Sequence, residues 1–67
     1  MIAMCEFTVY LNGHDDTDIV AENVIKTKIK GENVSLLDSS GKSYRVENVC
    51  IQTVDSIMGE MLLASRS

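Results

Sequence analysis

The chain has 67 residues, a net charge of −4 at pH 7, no Trp or Pro, and only Phe7, Tyr10 and Tyr44 as aromatics. This length gives one domain with a thin core, too small to enclose an enzyme active site of its own. The acid excess opposes non-specific nucleic-acid binding, which needs surplus Lys and Arg, and it opposes an anionic membrane surface.

The abundance of Val, Ile and Thr favours strands, because branched side chains suit a pleated surface. Met4 to Leu11 is the first predicted strand, with Cys5, Phe7, Val9 and Leu11 on one face and Met4, Glu6, Thr8 and Tyr10 on the other. Asn12-Gly13 ends it as a turn dipeptide. His14 to Asp18 reads as a solvated, acidic loop, and Ile19 to Asn23 leads into a second strand, Val24 to Lys30. There Ile25, Thr27 and Ile29 face one way and Lys26, Lys28 and Lys30 the other. A helix over Thr17 to Val24 would need a 3.6-residue apolar period, which is missing.

Gly31-Glu32 turns the second strand into a hairpin with Asn33 to Asp38. Ser39-Ser40-Gly41 is the next turn, and Lys42 to Val46 and Val49 to Val54 are further strands. Asp55 to Gly59 turns the chain into a last strand, Glu60 to Ala64. Evenly spaced short strands of this kind predict an all-β fold, a small barrel or a strongly bent sheet. The domain is expected to span residues 4–64, with an extension at 1–3 and a frayed tail at 65–67. No basic leader precedes Glu6 and no apolar run reaches transmembrane length, so a cytoplasmic location without membrane association is expected. Two cysteines fit that reducing compartment, where structural disulfides are unusual.

No catalytic constellation can be drawn from one His and carboxylates that sit in turns, so no enzyme activity is expected. Cys5 has two readings. It shares a face with Phe7, Val9 and Leu11 and could be a small core residue. It also follows Met4, and a chain beginning Met-Cys offers an amine, a backbone amide and a thiolate, the donors Ni(II) or Cu(II) favours. Cys50 lies mid-strand with Gln52 and Val54 on its side and reads as packing. The His14, Asp15, Asp16 and Asp18 cluster lacks the glycine and terminal Glu of a calcium loop. Lys26, Lys28 and Lys30 could meet phosphates or an acidic partner, but no aromatics are interleaved for base stacking. Lysines on a strand also keep sheets from pairing with their neighbours.

The run Met4-Cys5-Glu6-Phe7-Thr8-Val9-Tyr10-Leu11-Asn12-Gly13 resembles the opening of CooT-like proteins, nickel-binding accessory proteins of carbon monoxide dehydrogenase maturation. The resemblance continues through Val20-Ala21-Glu22-Asn23-Val24, Lys28-Ile29-Lys30-Gly31 and Val34-Ser35-Leu36-Leu37-Asp38, and covers roughly Met4 to Ala64. It implies a small β-barrel of the SH3-like or Sm-like kind, in a homodimer. It implies that the Cys after the initiator Met, here Cys5 with Met4 beside it, holds Ni(II) near the dimer interface for delivery to an apo-enzyme. Two features depart from the pattern: three residues precede Met4, and the His14 to Asp18 loop is long. Relatives of this kind have also been labelled predicted RNA-binding proteins. The competing readings are therefore an adaptor for RNA or protein working through the lysine stripe, and a structural module for a larger enzyme subunit.

Overall fold

The computed structural model describes residues 6–66. They form six strands: β1 (Phe7–Leu11), β2 (Ile19–Lys30), β3 (Asn33–Asp38), β4 (Ser43–Val46), β5 (Val49–Asp55) and β6 (Glu60–Ser65). A single 3-10 turn, Asp16–Asp18, stands where a helix had to be weighed, and the chain runs directly from it into β2. The expectation of an all-β domain of six strands holds.

The strands join one sheet in the order β4-β3-β2-β1-β6-β5. Each neighbouring pair is antiparallel except β1 and β6, which run parallel with Thr8 opposite Glu60 and Leu11 opposite Leu63. The sheet curls into a half-barrel, with β4 and β5 as its two edges. Asn48, at φ 60°, turns the chain between these edges, and the amide of Val49 donates to the carbonyl of Glu32 at 2.9 Å. That bond lands the start of β5 on the β2–β3 turn.

The concave face holds the core of Val9, Ala21, Val24, Val34, Leu36, Val49, Met61 and Leu63. Phe7, Leu11, Tyr44, Val46 and Ile51 close around it. This is a modest apolar core for a whole domain, as the length dictates.

Bulges decide which residues reach that core. On β2, Val24 lies opposite Phe7 and Ala21 opposite Val9, so buried residues stand three apart instead of two. Asn23, at φ 58°, absorbs the extra residue, a left-handed conformation that Asn tolerates better than most side chains. The second strand thus begins at Ile19 and not at Val24, because this bulge carries the ladder through residues that look like a connection. Beyond it, Thr27 faces Leu36 and Ile29 faces Val34 on the concave side, while Lys26, Lys28 and Lys30 pair with Leu37, Ser35 and Asn33 on the convex side. The predicted split of β2 is correct there. Ile25 falls in a second register shift, between Val24 and Lys26, and is 39% exposed.

A further register shift lies between Ile51 and Thr53 in β5. Cys50 pairs with Ala64 on the convex side, whereas Val54 pairs with the core residue Met61. The expectation that Val54 shares the face of Cys50 is therefore corrected: the extra residue, Gln52, reverses the alternation between them. Cys50 is a free, half-buried thiol.

Candidate functional site

Three surfaces carry the chemistry of the fold. The first lies where β1 enters the sheet. The amide of Thr8 donates to the carbonyl of Gly59 at 2.8 Å. A β-carbon on Gly59 would stand 3.0 Å from the carbonyl oxygen of Glu6, and Gly59 itself has φ 68°. Glycine is thus required twice, for its backbone angle and for the close approach of the entering chain. The β5–β6 turn beside it is shaped by Asp55, whose Oδ1 accepts the amides of Ile57 and Met58 at 3.0 Å each. That turn holds Ile57 93% exposed and Met58 67% exposed, with Val54 also open to solvent. Met4 and Cys5, the metal ligands expected from the sequence, lie outside the described residues.

The second surface is centred on Tyr10, on the convex side. Tyr10 lies opposite Ile19 of β2 and Leu62 of β6, and the ring of His14 packs against it at a 42° tilt with centroids 4.6 Å apart. His14 Nε2 in turn meets Glu60 Oε1 at 2.8 Å. Burial pushes the Tyr10 phenol above its ordinary pKa, and the carboxylates of Glu60, Asp16 and Glu22 add to the rise. The loop itself is tied by its own bonds: the Asp18 amide donates to the Asp15 carbonyl at 2.8 Å, and the Asp15 amide donates to Asp18 Oδ2 at 3.1 Å. The Asp18 carboxylate occupies the space a side chain on Gly13 would need. The loop is solvent-exposed over His14 to Thr17, as expected, and it is also folded as a turn that holds His14 against Glu60. Among the described residues, no three His, Cys, Asp or Glu side chains are placed to hold a metal ion.

The third surface is the convex face of β2, β3 and β4. Lys26 and Lys28 flank one side of a shallow depression floored by Ser35 and Leu37, and Ser43 and Arg45 flank the other. The lysine stripe is legible in the sequence. Its junction with Arg45 depends on the β3–β4 register, in which Arg45 lies opposite Ser35.

Asp38 supports this half of the fold from the concave side. Its Oδ1 accepts the Ser40 hydroxyl at 2.6 Å, the Lys42 amide at 2.9 Å and the Ser40 amide at 3.0 Å. The Tyr44 hydroxyl donates to Oδ2 at 3.2 Å. The Ser40 hydroxyl bond, followed by the Lys42 amide bond, holds the Asp38 carboxyl below its ordinary pKa, against the opposing effect of burial.

A family model described as CO dehydrogenase accessory protein CooT matches residues 4–64. The chain belongs to this family. No curated protein matches the chain. The CooT match takes in β1 to β5 and all of β6 but Ser65, and it begins at Met4, so it includes the Met4-Cys5 pair singled out in the sequence. It also gives the resemblance drawn from Met4 to Ala64 the same limits. The family's description is that of an accessory protein of CO dehydrogenase, in line with a role in assisting an enzyme. Among the described residues of this CooT-family chain, no helix is long and apolar enough to cross a membrane.

Proposed function

We propose that this CooT-family chain is a nickel-carrying accessory protein that holds Ni(II) for a CO dehydrogenase or another nickel enzyme. Its ligands are the Cys5 thiolate and main-chain nitrogen at Met4 and Cys5. The observation that carries this reading is the Met4-Cys5 pair at the head of a chain matched to a CO dehydrogenase accessory family over residues 4–64. Nitrogen and thiolate donors together suit Ni(II). Nickel here is cargo: no bond of a substrate is made or broken, and the protein's task is to bind, hold and release.

Two features of the fold support this reading. Cys5 directly precedes Glu6 in the chain, and the Glu6 carbonyl lies beside Gly59 of the β5–β6 turn. That turn carries Ile57 and Met58 in the open, a clustered apolar surface of the kind that marks an interaction site. A second copy seated on it, in a homodimer of SH3-like or Sm-like half-barrels in the cytoplasm, brings two Cys5 thiolates to one interface. Binding of the metal, or of a second copy, to the folded form alone would also stabilise a domain with so small a core. Because the thiol must lose its proton to bind, nickel uptake releases protons and strengthens as pH rises.

The test is a Ni(II) titration followed by ultraviolet-visible absorption on the reduced protein, on a form starting at Met4, and on Cys5→Ser, with intact mass fixing each N-terminus. Thiolate-to-nickel bands that saturate at a fixed ratio per dimer and vanish in Cys5→Ser support the proposal. Bands that survive in Cys5→Ser, or none in any form, remove Cys5 as a ligand and return it to the core.

A further inference from the structure

We propose that the convex face of β2, β3 and β4 docks an extended acidic segment of another polypeptide, a role separate from nickel binding. Four of the six Lys and Arg residues in the chain, Lys26, Lys28, Lys30 and Arg45, lie on this one face. The charge of the convex side is polarised. Glu22, Glu60 and Asp16 gather about Tyr10 at one end, and the cations gather at the β2–β3 hairpin end. Only Glu47 answers Arg45 among the described ion pairs, at 3.4 Å with both side chains well exposed, a contact of small worth in water.

The geometry favours a polypeptide strand over other anions. Lys26, Lys28 and Lys30 alternate along β2, and alternate residues of a strand recur about every 6.6–6.8 Å. A second extended chain with carboxylates at every other position has the same repeat. The depression along β3 has an apolar floor residue, Leu37, between its basic walls, which suits the mixed side chains of a peptide. Nucleic acid is the poorer occupant: Tyr44, the aromatic residue beside the depression, lies opposite Leu36, donates its hydroxyl to Asp38 and has Lys42 Nζ 5.2 Å from its ring centroid, so its ring is not offered to a base.

Fluorescence anisotropy on the full chain, without nickel, tests this with a labelled peptide of alternating Glu and Val and with a labelled oligouridylate of equal charge. The protein is expected to bind the peptide more tightly than the oligouridylate, with affinity falling as salt rises. Replacing Lys26, Lys28 and Arg45 together by Ser weakens peptide binding roughly tenfold or more, three exposed charge contacts being lost at once. Arg66→Ser, which removes the same kind of charge away from the groove, leaves binding unchanged, and circular dichroism confirms that both variants fold. No peptide binding, or binding equal in the triple variant, overturns the proposal. Tighter binding of the oligouridylate overturns it in favour of a nucleic-acid partner. A loss of oligomeric mass in the triple variant by sedimentation overturns it in favour of a second copy covering the face. None of these outcomes depends on Cys5.

Discussion

The Thr8 amide is bonded to the Gly59 carbonyl at 2.8 Å, so the first described strand is pinned to the last turn of the chain. This contact positions the segment that leads back to Cys5, and it rests on a glycine with both a positive φ and a carbonyl 3.0 Å from where a β-carbon would sit.

Gly59→Ala is therefore expected to destabilise the fold by about 1 kcal/mol or more, since alanine must adopt a left-handed angle and push against Glu6. Urea denaturation measures the loss. Nickel affinity measured on the same variant falls as well if the entering segment forms the metal site, whereas a purely structural glycine changes stability alone.

Leu63 is fully buried, and its neighbours on the concave face include the other large core residues. Leu63→Ala should cost roughly 2–5 kcal/mol, the usual range for such a cavity. A domain of this size commands only about 3–5 kcal/mol from its core, so the variant is expected to be largely unfolded by circular dichroism at room temperature.

The Asp38 carboxyl is held below its ordinary pKa in the folded chain by Ser40 and Lys42. A carboxyl of this kind adds stability above its unfolded pKa, near about 4, and that contribution is lost as pH falls through the lower folded value. Denaturation midpoints measured across the acid range should decline accordingly. Asp38→Asn is expected to be less stable at neutral pH and to show a flatter acid limb.

Tyr10 carries the opposite shift, upward, from burial first and then from Glu60, Asp16 and Glu22. Its neutral phenol is favoured by folding, so the associated stability is intact below about pH 10 and fades as pH rises toward the higher folded value. A spectrophotometric phenol titration should place Tyr10 above free tyrosine. Glu60→Gln should bring it part of the way back, because it removes the carboxylate charge while keeping an oxygen acceptor for His14.

Much of the fold was legible because alternation is a local signal. Thr27 and Ile29 against Lys26 and Lys28 separate onto two faces as their order predicts, and Gly31-Glu32 makes the expected hairpin. What alternation could not supply were the places where a residue is inserted. Asn23 looks like the end of a connection, yet its left-handed backbone keeps Ala21 and Val24 on one face of a continuous strand. The extra residue Gln52 has the opposite effect in β5, sending Cys50 and Val54 to different faces although they stand four apart. The pairing of β1 with β6 has no local signature at all, since it depends on residues at opposite ends of the chain. Of the candidate surfaces, the lysine stripe could be read from strand register alone, whereas the union with Arg45 and the exposure of Ile57 and Met58 required the assembled sheet.

That parallel pairing has a consequence for how the protein comes into being. Asn12 and Ser65, 53 residues apart, exchange two hydrogen bonds at the far end of β1 and β6, and this pair joins the β2–β4 half of the sheet to β5. Contacts of such long sequence separation form slowly, after the loop between them has been closed. A nascent chain still missing β6 has no partner for one side of its first strand. β1 thus gains its second partner only when β6 exists, so the half-barrel reaches its finished form late, and a half-made chain carries β1 with one edge still open.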